Sequence, residues 1–194
     1  MHSVDFTDAV AHVRAQLVCP AETLVAPVLI VISGLPGTGK SHLARRLAER
    51  LPSVIVQSDF VRKIILPRPT YASAENLYVH RVAHAIIEQL LRAGYRVISD
   101  ATNLAEWHRE KLYRVAERTG AKLVVVRTVA PEEIVRARLA VRVMQREPTE
   151  LSDADWGVHE LLKPQIEPVE RPHIVVDTSD NFEIALARIL RAAR

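Results

Sequence analysis

A single cysteine, Cys19, rules out an internal disulfide and argues against a thiolate-ligated metal site, so the cytoplasm is the expected location. No apolar run approaches the roughly 20 residues that span a bilayer, and no membrane partner is expected. The opening Met1-His2-Ser3-Val4-Asp5 carries an early acid and lacks the apolar segment of a secretory leader. Charge is not strongly biased either: 26 Lys+Arg against 23 Asp+Glu gives +3, and the basic residues are scattered. That balance suits a phosphorylated ligand without marking a nucleic-acid surface. There is no internal repeat, no nucleophilic triad and no H-E-x-x-H pattern. His80 and His84 have i, i+4 spacing but lack that glutamate, and read as ordinary helix positions. With 194 residues, 48% apolar and 25% charged, one domain spanning residues 1–194 is expected.

What the chain does have is concentrated between Val28 and Leu47. Val28-Leu29-Ile30-Val31-Ile32 is short, apolar and β-branched, the pattern of a buried parallel strand. Gly34-Leu35-Pro36-Gly37-Thr38-Gly39 follows, then Lys40-Ser41-His42 and apolar residues at helical spacing, Leu43, Ala44, Leu47 and Leu51. This is G-x-x-x-x-G-K-[ST] between strand and helix, the setting of a phosphate-binding loop. The glycines let successive N–H groups converge on a polyphosphate, and the new helix adds its positive end. Residues 34–42 are therefore the expected nucleotide cradle, with Lys40 on the β- and γ-phosphates and the Ser41 hydroxyl on Mg²⁺. The ligand expected is ATP or GTP with Mg²⁺.

The remaining chain alternates strands with helices. A leader helix over Asp5–Val18 presents Phe6, Val10, Val13 and Leu17 on one face, within an N-terminal extension over residues 1–24. Strands are expected at Ser53–Gln57, Tyr95–Ser99, Leu123–Val126 and His173–Asp177. Helices are expected from Phe60, over Ala74–Arg92 with Leu77, Val82, Ala85, Ile86, Leu90 and Leu91 buried, near Ala105–Arg118, after Pro131, after the cap Ser152–Asp155, and over Asn181–Ala192. Pro67 and Pro69 make an irregular loop. Such alternation means a parallel sheet covered on both faces, with ligands beyond the carboxyl ends of its strands. The glycine-rich loop, Asp59 and Asp100 all fall at that rim.

Three acid or basic elements there carry possible chemistry. Asp100 closes a strand and suits a carboxylate that holds Mg²⁺, or a turn aspartate. Asp59 follows the second strand with Arg62 one helical turn on; it suits a general base for an acceptor hydroxyl, or a helix cap. Arg62 could keep that carboxylate ionised or grip an acceptor phosphate. Arg138, Arg142 and Arg146 share one helical face, either a row that neutralises charge on a transferring phosphoryl group or a solvated surface. Trp107 and Trp156 read as residues packed against the sheet, although the helix of Trp156 could instead border the nucleotide base.

In this combination the chain resembles the P-loop kinases grouped with phage polynucleotide 5′-hydroxyl kinases, with zeta toxins and chloramphenicol phosphotransferases as more distant members, all on an AAA-type ATP-binding domain. The residues that carry the resemblance are Gly34–Ser41, Ser58-Asp59-x-x-Arg62, Asp100-Ala101-Thr102-Asn103 followed by Arg109, and Arg138-x-x-x-Arg142. It implies an α/β P-loop NTPase fold, a three-layer α/β/α sandwich whose five-stranded parallel sheet has the order 2-3-1-4-5, with a helical lid over about residues 131–150. It also implies a phosphotransferase acting on an alcohol: Lys40 on the phosphates, Asp59 as general base, Arg62 as orienting or acceptor-binding group, Arg138 and Arg142 as lid arginines. The acceptor would be a polynucleotide 5′-hydroxyl or a small molecule in a pocket lined by Tyr71, Tyr78 and the Pro67–Thr70 loop. The alternative is a nucleotide-hydrolysing switch protein without an acceptor.

Overall fold

A computed structural model describes residues 5–145 and 151–194, and within them the sheet has five parallel strands. In chain order the elements are α1 (Phe6–Ala15), β1 (Val28–Ser33), α2 (Lys40–Arg50), β2 (Val54–Gln57), α3 (Ser58–Ile65), α4 (Ser73–Arg92), β3 (Arg96–Asp100), α5 (Glu106–Thr119), β4 (Lys122–Val129), α6 (Glu132–Gln145), α7 (Trp156–Leu162), a 3₁₀ turn (Lys163–Gln165), β5 (His173–Asp177) and α8 (Glu183–Ala192). The spatial order is β2-β3-β1-β4-β5, as the family resemblance implies.

Period-two alternation explains the layers. Leu29 and Val31 of β1 face a core shared with α1, α3, α4 and α5, whereas Val28, Ile30 and Ile32 face a second core under α2 and α8. Val97 and Ile98 of β3 divide between the two cores in the same way. Every residue of β1 is buried, which accounts for its unbroken apolar run. The leader helix belongs to the first core: Val10 and Val13 are buried, and Phe6 and Leu17 pack against it.

Several sequence-based expectations need correction. Leu77 is 46% exposed, because α4 turns Val79, Val82, Ala83, Ile86 and Ile87 inward instead. Trp107 is 52% exposed and does not pack on the sheet. Trp156 stacks on His159 with Arg136 over its ring, also off the sheet. The fourth strand runs four or so residues longer than its apolar stretch, since Arg127 and Thr128 continue the ladder to β5. Arg146 and the far end of the predicted lid region lie outside the described residues.

Register brings the polar residues together. Asp100 ends β3 opposite Ile32 of β1 on one side and Gln57 of β2 on the other. The carboxyl ends of β1, β2 and β3 therefore form one rim, with the glycine-rich loop rising from β1 and α3 starting at the end of β2.

Candidate active site

The loop Gly34–Gly39 owes its shape to backbone freedom and to a set of buried hydroxyls. Gly37 and Gly39 have φ of +83° and +82°, the left-handed region that a side chain resists. A Cβ on Gly37 would stand 2.7 Å from Val135 of α6, so the loop and that helix are in direct contact. The Thr38 hydroxyl meets Leu35 O and Thr128 Oγ1, both at 2.8 Å. Thr178, just past β5, donates to Thr38 O at 3.0 Å, and His159 Nδ1 lies 2.9 Å from Pro36 O. Four separate segments thus brace the loop, and no side chain caps the N-terminus of α2. Its first N–H groups face an anion site instead.

Lys40 begins α2 and donates to Leu35 O at 2.9 Å. Burial lowers its pKa to about 8, against the opposing pull of Asp100 and Asp59; Arg142 adds to the lowering. Ser41 accepts from Gln57 Nε2 at 3.2 Å and donates to Asp100. Asp100 is buried, its Oδ2 has no hydrogen-bond partner among the described residues, and burial raises its pKa. A serine hydroxyl beside a buried carboxylate with an unused oxygen is an oxygen donor set suited to Mg²⁺. His42, in the first turn of α2, is exposed and meets the Phe182 ring edge-on at 5.7 Å.

Asp59 occupies the first turn of α3 and lines the same cavity, of about 1230 Å³. Burial raises its pKa, even though the Ser152 hydroxyl donates to it and Arg62 and Lys40 lie close enough to lower it. Ser152 stands in the segment before α7, which Asp155 caps by accepting from Val158 N at 2.9 Å. Next to it Asp153 accepts from the Tyr71 hydroxyl at 2.7 Å.

Arg62 is buried and engaged: it pairs with Glu75, donates to Asn76 Oδ1 at 2.7 Å, and lies over the Tyr71 ring at 4.6 Å. Glu75 also accepts from Thr70 N, Thr70 Oγ1 and Tyr71 N, so the Pro67–Thr70 loop is folded onto α4. Tyr71 lines the cavity as expected, but Tyr78 packs edge-on against Phe6 in the first core.

The two arginines of α6 part company. Arg138 donates to Thr178 Oγ1 at 2.9 Å, Thr178 O at 2.5 Å and Gly37 O at 3.4 Å, on the outer side of the loop. Arg142 lies near enough to Lys40 to depress its pKa and donates to Ala154 O at 3.5 Å. Both line the cavity.

Arg109, part of the family-like element, is wholly buried and structural. It donates to the carbonyls of Asn103 (2.7 Å), Leu104 (2.5 Å), Glu167 (3.0 Å) and Pro168 (2.6 Å), and pairs with Glu106 at 2.5 Å. Asn103 takes a left-handed φ of +44° and donates to Ile32 O at 2.8 Å, while Thr102 O accepts from Gly34 N at 3.0 Å. These residues shape the loop after β3 beside the phosphate cradle. Gln57, Ser152, Thr178 and His159 complete the site, and none of them carries a motif in the sequence. They reach the site through tertiary contacts between segments as far as 140 positions apart.

Several known proteins resemble this chain. The AAA domain family profile covers residues 29–164. An uncharacterized protein of Mycobacterium tuberculosis is 30% identical over 126 residues, 59% of this chain but 25% of that protein, so the chain spans about a quarter of that relative's length. The "probable adenylyl-sulfate kinase" of Aeropyrum pernix is 26% identical over 79% of this chain and 85% of its own. Among solved structures, Chaetomium thermophilum Kti12 in complex with ADP-AlF3 superposes with a TM-score of 0.69 at 20% identity, over 86% of this chain and 99% of that one.

Proposed function

Since the chain belongs to the AAA domain family and carries a P-loop NTPase fold, we propose that it is an ATP-dependent kinase that transfers the γ-phosphoryl group to a hydroxyl acceptor. The observation that carries this reading is Asp59: a half-buried carboxylate with a hydroxyl already donated to it, opening on the same cavity as Lys40, Ser41 and Asp100. The adenylyl-sulfate kinase relative supports a phosphotransferase in general terms. The resemblance to polynucleotide kinases and chloramphenicol phosphotransferases supports Asp59 as the base.

Each residue then has a task. The N–H groups of residues 34–42 and the Lys40 ammonium hold the β- and γ-phosphates. Ser41 and Asp100 would hold Mg²⁺, which would offset the charge of the phosphates. Asp59 takes the proton of the acceptor hydroxyl as its oxygen bonds to the γ-phosphorus and the bond to ADP breaks. Burial raises the pKa of Asp59, which makes it a stronger base than an exposed aspartate. Arg142, close to Lys40, places positive charge where the transferring group develops negative charge. Arg138, tied to Thr178, closes the outer side of the nucleotide cradle. Arg62 acts on the site through Glu75, Asn76 and Tyr71 as a positioning residue rather than as a grip on an acceptor phosphate.

The direct test is transfer from γ-labelled ATP to oligonucleotides, nucleosides, sugars and antibiotics. Turnover that stays near background until an acceptor is added supports the kinase. Equal ATP hydrolysis with and without every acceptor would favour a nucleotide-hydrolysing switch instead.

A further inference from the structure

The cavity extends beyond Asp59 along a wall formed by α3, α4 and α5, and the chemistry of that wall is distinctive. Among the described lining residues of these helices, the only cation is Arg62. Its guanidinium is already neutralised by Glu75 and hydrogen-bonded to Asn76, with the Tyr71 ring against it. Two carboxylates face the same space, Asp59 beside the Ser152 hydroxyl and Asp153 beside the Tyr71 hydroxyl with Lys63 at 3.8 Å. A phosphate or sulfate seated against α3, α4 and α5 would meet these carboxylates and an Arg62 guanidinium already paired with Glu75. The other cations of the cavity, Lys40, Arg45, Arg138 and Arg142, stand on α2 and α6.

The rest of the wall is aromatic and uncharged. Trp107 brings a half-exposed indole to the cavity and stacks on His108 at 3.5 Å, and the His108 ring lies 4.7 Å from that of His80. Burial pushes His80 down to about 3 and His108 to about 4, and His84 behind them also to about 4, so the three imidazoles are neutral at physiological pH. His108 Nδ1 is buried without a hydrogen-bond partner among the described residues. Lys111 rests its ammonium over the Trp107 ring at 4.3 Å. Neutral imidazoles, an amide and a flat apolar ring are the groups that recognise an uncharged ring bearing hydroxyls.

Resting on the kinase reading above, we infer that the acceptor is an uncharged, ring-bearing alcohol, seated against Trp107, His108 and His80 with its hydroxyl turned to Asp59, and that acceptors carrying phosphate or sulfate are excluded. The exclusion covers a polynucleotide 5′-end, whose first nucleotide carries a phosphate on its 3′ side. It also covers adenylyl sulfate, so this chain departs from its Aeropyrum pernix relative in acceptor. In transfer, the ring hydroxyl oxygen bonds to the γ-phosphorus, ADP departs, and the hydroxyl proton passes to Asp59.

Matched pairs test this on the full chain with Mg²⁺ and γ-labelled ATP: nucleosides against their 3′-phosphates, hexoses against their 1-phosphates, with adenylyl sulfate and a 5′-hydroxyl oligonucleotide as further anionic arms. The neutral member of at least one pair should be phosphorylated with kcat/KM about tenfold or more above its ester, since like charges placed together cost several kcal/mol. The pair that responds tells a nucleoside from a sugar. Trp156→Phe leaves Trp107 as the only indole of the two in the chain, and its fluorescence should change on adding the neutral acceptor. Trp107→Ala should raise the acceptor KM and leave nucleotide affinity unchanged. Glu75→Gln frees the Arg62 charge and should narrow the preference by improving the ester. An ester, adenylyl sulfate or the oligonucleotide used as well as the neutral acceptors would overturn the inference while leaving a kinase. ATP bound and hydrolysed with no acceptor of either kind phosphorylated would overturn the kinase reading, and the inference with it.

Discussion

Raising the pH should weaken nucleotide binding through Lys40, and the size of the effect follows from its surroundings. Burial holds the ammonium at a pKa of about 8 despite two nearby carboxylates. At pH 7 about nine-tenths of the protein without nucleotide carries the charge, and at pH 9 about one part in eleven. A polyphosphate binds the charged form and raises its pKa, so binding takes up a proton wherever the free lysine is neutral. Affinity for Mg·ATP should therefore be flat below pH 7 and fall about tenfold between pH 7 and pH 9, about 1.4 kcal/mol. Isothermal titration in buffers of different ionisation enthalpy should show about half a proton taken up at pH 8. Lys40→Met should bind weakly at every pH, with this slope gone. A wild-type affinity that stays constant from pH 7 to pH 9, with no proton uptake, would refute the burial argument.

Other perturbations separate the roles assigned above. Asp59→Asn should lower phosphoryl transfer by about 10²-fold or more with Mg·ATP affinity little changed; an equal loss in both would make it a metal anchor. Arg142→Ala should reduce kcat far more than nucleotide affinity, by up to about 10³-fold, whereas Arg138→Ala should act chiefly on affinity; single-turnover transfer beside nucleotide titration tells them apart. Arg109→Met should destabilise the fold by about 3–5 kcal/mol, because the carbonyls of Asn103, Leu104, Glu167 and Pro168 each lose one donor and Glu106 loses its partner in a buried pair; urea unfolding showing less than about 1 kcal/mol would refute its bracing role. Gly37→Ala should cost about 2 kcal/mol or more through its left-handed φ and the Val135 contact, read as a lower melting temperature.

Much of this was legible in the residues because the physics is local. The short, β-branched apolar run of β1 directly before G-x-x-x-x-G-K-S reads as a strand covered on both faces, with the loop between it and a helix. What could not be read depends on contacts across the fold. Arg62 and Arg109 look alike in sequence as basic residues beside a site, yet Glu75 claims one and a cage of carbonyls the other. Trp107 was expected inside on hydrophobicity alone, but α5 buries Leu112, Tyr113, Val115 and Ala116 and leaves the indole facing the cavity. Ser152 registers in the sequence as part of a helix cap; only the fold brings its hydroxyl to Asp59.

The contact between Gly37 and α6 sets how that helix can move. Val135 and Leu139 are buried against the loop, whereas Val141, Val143 and Met144 beyond them are 49%, 51% and 85% exposed. The helix is therefore anchored at Val135 and Leu139, with an arm beyond them that carries Arg142, itself bonded to Ala154 O. At 1.5 Å per residue, the arm from Leu139 to Gln145 is about 9 Å long. We propose that a shift of the loop on wrapping a polyphosphate would be magnified along that arm, which would couple the cradle to the position of Arg142.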